Sequence, residues 1–227
     1  MIEFNQHAAV YPGIYLARST ADAATHQRMI AAVRAAVAKS PPERDGKGGK
    51  KVRVKEVWEL PEFQSLKAAA RQLFHHRFGD YSVQIADHWV NVMESGEWSE
   101  LHVHSHTAAA VVYMLESGDA NAGGDFALLD RELPFCCDDQ RYPTPDVHSP
   151  SVEIRPTGFG NGSALIFPAH LQHHVTCYRG RPEHPRLTVA MNLVSPAVTA
   201  KQLLQQEFEK ARAHFKSGQL GRLTPFA

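Results

Sequence analysis

Cysteine is scarce in this chain of 227 residues: there are 3, two of them adjacent at Cys136-Cys137. With only Cys177 left over, neither a disulfide framework nor a CxxC metal knuckle can be assembled. Excess charge of one sign is missing too, since Lys+Arg and Asp+Glu each number 24. A chain without a basic field does not gather phosphates, so no nucleic-acid partner is expected. No apolar run approaches the roughly 18 residues of a membrane span, and Met1–Asn5 does not open a charged-then-apolar signal segment. A soluble, cytoplasmic chain with no membrane partner is the expectation. The Gly/Lys stretch from Lys47 to Lys51 lacks P-loop spacing and reads as a mobile, self-repelling loop. Internal repeats and low-complexity tracts are absent. At 43% hydrophobic and 21% charged residues, the composition fits one globular domain over 1–227.

What is present shows two periodicities. Met29, Ile30, Val33, Ala36 and Val37 keep helical spacing behind the N-cap candidates Ser19 and Thr20, which predicts a helix ending by Pro41-Pro42. Phe63, Leu66, Ala70, Leu73, Phe74 and Phe78 predict a second helix, opened by Pro61 and stopped by Gly79. Residues 1–80 therefore read as an N-terminal helical support. From about Tyr81 the pattern changes to short β-rich runs: Ser82–Met93, Ala108–Leu115, Asp125–Leu129, Ser151–Ile154, Ser163–Phe167, His173–Tyr178 and Leu187–Val194. These predict an antiparallel sandwich or barrel over 81–196. The stretch Cys137–Pro150 reads as a long loop of the kind that forms lids. Thr199-Ala-Lys-Gln202 is a capping box, and Leu204, Phe208, Ala211 and Phe215 form the apolar stripe of a C-terminal helix over 197–227, ended by Gly218. The fold class expected is mainly β with flanking helices.

Histidine carries the chemistry: 8 of the 14 lie between His102 and His184. In an extended strand His102 and His104 share a face, roughly 6.5–7 Å apart at Cα, so both imidazoles can reach one metal. A bare HxH is more often a polar strand edge. A second segment, Gly162 to His173, has the form of strand, turn and histidine, and His173 follows the Phe167-Pro168 turn at an offset that lets it join the pair. His170 and His174 are alternatives. Three ligands on one face of an octahedron leave three positions open, as non-haem Fe(II) sites require. Arg186 and Thr188, at i and i+2 of a strand, point the same way and form a fork suited to a carboxylate. Asn91 and Tyr113, on strands beside this site, are candidates for hydrogen-bonding a cosubstrate, although an aromatic is more often core. His75-His76 fit better as cations at a helix C-terminus. Cys136-Cys137 supply no evident nucleophile, and Asp138, Asp139, Arg141 and Asp146 read as solvating their loop.

These residues resemble the small bacterial 2-oxoglutarate/Fe(II)-dependent oxygenases, built on a double-stranded β-helix, a jelly-roll or cupin-like barrel. The resemblance lies in Trp89-Val-Asn91, Gly96, His102-Val-His104-Ser-His106-Thr107, Val112-Tyr113, Leu128-Leu129-Asp130-Arg131, Leu133-Pro134, Leu165-Ile166-Phe167-Pro168, His173-His174-Val175, Arg186-Leu-Thr188 and Asn192. It covers about Asp87 to Leu193, roughly half the chain. It implies Fe(II) held by His102, His104 and His173, with 2-oxoglutarate chelating the metal and its far carboxylate on Arg186. A hydroxylating dioxygenase follows, taking a small-molecule or amino-acid-like substrate and O₂, with a homodimer left open. The chain departs from the wider superfamily at His104, where H-x-D/E would place a carboxylate. His104 is large enough to be a ligand itself, which favours hydroxylation over halogenation; His106, Asp125 and Asp130 are alternatives at this position. The competing class is a metal-binding cupin, whose half-motifs fit Gly96-x₅-His102-x-His104 and Gly162-x₅-Pro168-x₄-His173. The Glu such a cupin needs after the second His is replaced by alanines, and Arg186-Leu-Thr188 favours the oxygenase. A degenerate β-helix acting as a non-enzymatic interaction domain is the third reading.

Overall fold

Alternation along the strands sends odd and even residues to two different layers, and those layers define the molecule. The computed structural model describes residues 1–11, 13–39, 43–44, 50–130 and 152–216. In chain order the elements are β1 (Phe4–Tyr11), β2 (Ile14–Ser19), α1 (Ala23–Lys39), β3 (Glu43–Arg44), β4 (Lys50–Val52), α2 (Lys55–Trp58), α3 (Pro61–Phe78) and β5 (Gln84–Met93). There follow β6 (Ser99–His102), β7 (Ala109–Glu116), β8 (Phe126–Asp130), β9 (Val152–Ile154), β10 (Ser163–Pro168), β11 (Gln172–Val175), β12 (Arg186–Val194) and α4 (Ala200–Lys216). An 8-stranded sheet runs β1-β2-β10-β7-β12-β5-β4-β3, and a 4-stranded sheet runs β6-β11-β8-β9. Every pairing is antiparallel. This is the double-stranded β-helix expected from the resemblance, with helices on one side.

Both faces of the large sheet are buried, by different partners. Val90, Val111, Tyr113, Ile166, Val189 and Met191 face the helical layer, where α1 and α3 supply Val33, Phe63, Leu66 and Phe74. The alternate residues Ala110, Val112, Leu165 and Phe167 face the small sheet and meet Phe126, Leu128 and Val175. Each fully buried Leu or Phe contributes about 1.5–3 kcal/mol, so these two layers carry most of the stabilisation. Sidedness is therefore strict: a shift of one residue along β5, β7 or β12 exchanges core for cavity.

The helix ends follow the expected chemistry with one correction. The Asp22 carboxylate, rather than Ser19 or Thr20, caps α1 by accepting from the Thr25 N–H at 2.7 Å. Pro61 opens α3, and Gly79, at φ 77°, closes it with its N–H on the His75 carbonyl. The capping box at α4 is formed: Thr199 N–H donates to Gln202 Oε1 at 2.9 Å and Gln202 N–H to Thr199 Oγ1 at 3.3 Å. On α4 Leu203 and Glu207 are buried, and Glu207 accepts from the Tyr15 hydroxyl of β2. The expected stripe residues Leu204, Ala211 and Phe215, as side chains, and Gly218 lie outside the described residues, as do Cys136, Cys137, Asp138, Asp139, Arg141 and Asp146.

Residues 1–80 are not purely helical. The hairpin β1–β2 docks on β10 and β4 docks on β5, so this region lends the large sheet strands as well as helices. Lys50 and Lys51, expected in a loop, belong to β4. The sequence of β1, Phe-Asn-Gln-His-Ala-Ala-Val-Tyr, lacks a clean alternation because the strand lies on an edge.

Candidate metal centre and its cavity

β6 ends at His102, whose Cα is paired with that of His173 on β11. His104 lies two residues past His102, outside the strand, its backbone N–H held on the Ala169 carbonyl at 2.9 Å. The three rings converge: centroids are 4.2 Å apart for His102–His173, 5.3 Å for His102–His104 and 4.9 Å for His104–His173. One nitrogen from each lies within 4.8 Å of the others.

The tautomers follow from the carbonyls. Nδ1 of His173 is 2.9 Å from the Leu171 carbonyl oxygen, and Nδ1 of His102 is 2.7 Å from that of Glu100. A carbonyl only accepts, so both Nδ1 atoms carry the proton and both Nε2 atoms present lone pairs. Nε2 of His104 lies 3.1 Å from Nε2 of His173. Two imidazole nitrogens bonded at about 2.1 Å and at right angles to one ion would be about 3 Å apart, so the pair fits neighbouring positions on a metal. The donor set of three neutral imidazoles suits a divalent transition ion.

His173 is 2% exposed, and burial, then the neighbouring His102 and His104, push its pKa well below the ordinary value. A depressed base stays neutral in the folded chain while the unfolded chain takes up protons, so it adds stability at neutral pH that is lost as pH falls. The metal-free protein should thus lose stability progressively below about pH 6.5. His173→Phe should flatten that slope in urea titrations at stepped pH; an unchanged slope would remove His173 as its source.

The cavity beside the imidazoles is lined by Arg186, Thr188, Asn91, Trp89, Lys51 and Phe126, among others. Arg186 is 2% exposed, and one of its terminal nitrogens is buried without a hydrogen-bond partner. Desolvation lowers its pKa to about 10, so it stays cationic at neutral pH. An unpaired buried guanidinium is costly and calls for an anion. Thr188 is positioned beside it on the same face. Asn91 Nδ2 donates to Thr188 Oγ1 at 3.2 Å, which leaves the Thr188 proton for another acceptor, and Asn91 Oδ1 accepts from Trp89 Nε1 at 2.7 Å. Asn91 thus holds Thr188 and Trp89 in place, and Trp89 stacks on His104 with centroids 5.9 Å apart.

Other expected candidates stand elsewhere. Tyr113 faces the helical layer, where it meets His26, because the odd positions of β7 point away from the cavity that Val112 lines. That parity corrects its expected place beside the cosubstrate. His106, in left-handed conformation at φ 61°, and His170 line a second recess that His104 also borders, and neither lines the cavity. His174, one residue from His173, is not in the cluster. Asp125 is exposed and lies 3.7 Å from Arg155. The Asp130 side chain lies outside the described residues, and no carboxylate among those described joins the three imidazoles.

Two residues that bear on the site, one lining the cavity and one behind Arg186, were not among the sequence candidates. Lys51 is one. Gly124, recognised only as part of a turn, is the other: a Cβ there would stand 2.9 Å from Arg186 Cδ and 3.2 Å from Tyr178 Cδ2, at φ +73°. Only glycine lets the arginine stem pass in that conformation. Gly124→Ala should therefore displace Arg186, weakening the 2-oxoglutarate binding that the resemblance implies there at least about tenfold, or about 1.4 kcal/mol, while leaving the three imidazoles in place. Calorimetry showing wild-type affinity would refute this.

Residues 87–192 match the family model described as "Putative 2OG-Fe(II) oxygenase". Over that stretch the chain is similar to the 2OG-Fe(II) oxygenases. The family's cofactors are Fe(II) and 2-oxoglutarate, and the enzyme class is oxidoreductase. The match is to the oxygenases rather than to the cupins weighed from the sequence. No curated protein matches the sequence. Among solved structures, the α-ketoglutarate-dependent epimerase SnoN of nogalamycin biosynthesis is similar at 15% identity and TM-score 0.60, over 81% of this chain and 79% of that one. SnoN has also been solved with Fe3+ and α-ketoglutarate. The carbocyclase SnoK of the same biosynthesis gives 14% identity and TM-score 0.59, over 80% of this chain and 79% of that one. A prolyl-4-hydroxylase of Pseudomonas putida gives 13% and 0.56, over 81% of this chain and 93% of that one. Identities this low establish the fold, and the three reactions differ, so fold alone does not name the oxygenase's product. No helix among the described residues is long and apolar enough to cross a membrane.

Proposed function

We propose that His102, His104 and His173 hold Fe(II), that Arg186 and Thr188 receive the distal carboxylate of 2-oxoglutarate, and that the enzyme hydroxylates a small-molecule or amino-acid-like substrate. The observation that carries this reading is the buried, unpartnered nitrogen of Arg186 in the cavity that the three imidazoles line. A bidentate carboxylate would satisfy that group, and the Thr188 hydroxyl adds a second donor. Asn91 and Trp89 act by positioning: one orients Thr188, the other backs His104. Iron with 2-oxoglutarate supplies O₂-dependent oxidation coupled to loss of CO₂ from the cosubstrate. His104 fills the place of the usual carboxylate with a side chain able to ligate, leaving no vacancy for halide, which is why hydroxylation is the outcome we assign.

Anaerobic titration of the Fe(II) protein with 2-oxoglutarate tests this. A weak visible charge-transfer band should appear, accompanied by a calorimetric signal. If neither appears, the metal-binding cupin becomes the better reading.

A further inference from the structure

Resting on the Fe(II)/2-oxoglutarate reading, we propose that Tyr178 is a positioning residue for the cosubstrate: its hydroxyl fixes the entry of β12 and so aims Arg186 at the distal carboxylate. The connections that precede β6, β8 and β12 all meet at this tyrosine. Its backbone N–H donates to the Glu97 carbonyl at 2.8 Å, and its own carbonyl accepts from the Gly96 N–H at 2.7 Å. Its hydroxyl accepts from the Asp119 N–H at 2.9 Å and donates to the His184 carbonyl. Only Pro185 stands between that anchored carbonyl and Arg186, the first residue of β12. A proline ring locks φ, so holding His184 restricts where β12 starts and where Arg186 points.

The phenol has a seat shaped for it. Tyr178 is 0% exposed, and a Cβ added at Gly118 or Gly180 would run into its hydroxyl. A Cβ at Gly124 would meet the Tyr178 ring on one side and the Arg186 stem on the other, so the two side chains close on one point. A phenylalanine would fill the space of the ring, but only a hydroxyl can join the connection before β8 to the one before β12. The Asp119 carboxylate also lies 2.7 Å from His184 Nδ1 and from an Arg181 terminal nitrogen. Those partners are open to solvent, where ion pairs are worth little, so the buried hydroxyl carries the tie. Arg186 depends on such an anchor. One of its terminal nitrogens has no partner within the fold, so its aim is set by where its stem is held, and paired bonds to a carboxylate require a fixed fork.

The experiment compares 2-oxoglutarate with 2-oxovalerate on the full-length protein loaded anaerobically with Fe(II), read by the charge-transfer band of the chelated acid. The acids have equal carbon chains and chelate alike, and only 2-oxoglutarate carries a distal carboxylate. Tyr178→Phe keeps the ring and removes the hydroxyl. It should weaken 2-oxoglutarate about fivefold, the size of one net hydrogen bond, while 2-oxovalerate and iron affinity stay within about twofold of wild type. Pro185→Gly leaves Tyr178 in place and loosens its link to Arg186, so it should narrow the preference for 2-oxoglutarate in the same direction. An unchanged preference in folded Tyr178→Phe overturns the proposal even if the melting temperature falls, because the role is then structural. Equal loss of both acids overturns it too, by placing the effect at the metal instead of at Arg186. Where Tyr178→Phe does not fold, Pro185→Gly decides by the same outcomes. Failure of the wild type to bind 2-oxoglutarate defeats the underlying reading and this proposal with it.

Discussion

Arg186→Met should make the ligand-free protein more stable while removing its response to 2-oxoglutarate. Arg186 is 2% exposed and holds a terminal nitrogen with no partner, so the apo fold carries an uncompensated desolvation cost of about 2 kcal/mol. Methionine has a similar length and no charge, and it would pack against Tyr178 and Gly124 without that penalty. The apo melting temperature should rise by roughly 4–8 °C for a chain of this size. Added 2-oxoglutarate should stabilise the wild type but not the variant, whose affinity should fall by about 2–5 kcal/mol. Arg186→Lys keeps a charge but loses the planar fork, and should fall between the two. A variant less stable than wild type in the apo state would mean that Arg186 has its anion within the fold itself, and that the cavity is not waiting for a cosubstrate. The opposite signs for stability and binding distinguish a binding residue from a structural one.

Local pattern was enough for much of this site, and the remainder depended on long-range register. Arg186 and Thr188 share parity on one strand, so their common direction could be read two residues at a time. The same rule applied to β7 would have turned Tyr113 away, because it shares parity with Val111 on the helical side and differs from Val112 on the cavity side. Its aromatic character outweighed its position. The meeting of His102 with His173 crosses two strands distant in sequence; the motif order predicted it, while alternation could supply only the His102–His104 pair. Even that pair is held differently from expectation, since β6 stops at His102 and the Ala169 carbonyl keeps His104 in place. Lys51 was illegible for a plain reason. Glycine and like charges around it read as a loop, and only the pairing of β4 with β5 shows that it faces the cavity. The β1–β2 hairpin was lost to its polar edge strand, although the alternation of Ile14 and Leu16 in β2 was a signal that could have been used. Gly124 could not be found from sequence, because its role is defined by the path of the Arg186 side chain.

Removing His173 should abolish iron binding outright. Its Nε2 is the buried member of the cluster, its proton is fixed on the Leu171 carbonyl, and its ring is packed against Phe126 and Phe167, so no other side chain can swing into its place. Anaerobically loaded wild type should hold about one Fe(II) per chain, and His173→Ala none, with circular dichroism unchanged. His104 permits a sharper test. His104→Ala should cost iron affinity, whereas His104→Asp places a carboxylate where the two-histidine, one-carboxylate site would have it and should retain iron. His106→Ala should be mild, because His106 sits in left-handed conformation outside the cluster of three imidazoles. Zinc in an aerobic preparation would not count against the site, since imidazole ligands bind zinc more tightly than Fe(II). Full iron occupancy in His104→Ala with loss in His106→Ala would show that the second ligand is His106, and that the 3.1 Å approach of the His104 and His173 nitrogens is packing rather than coordination.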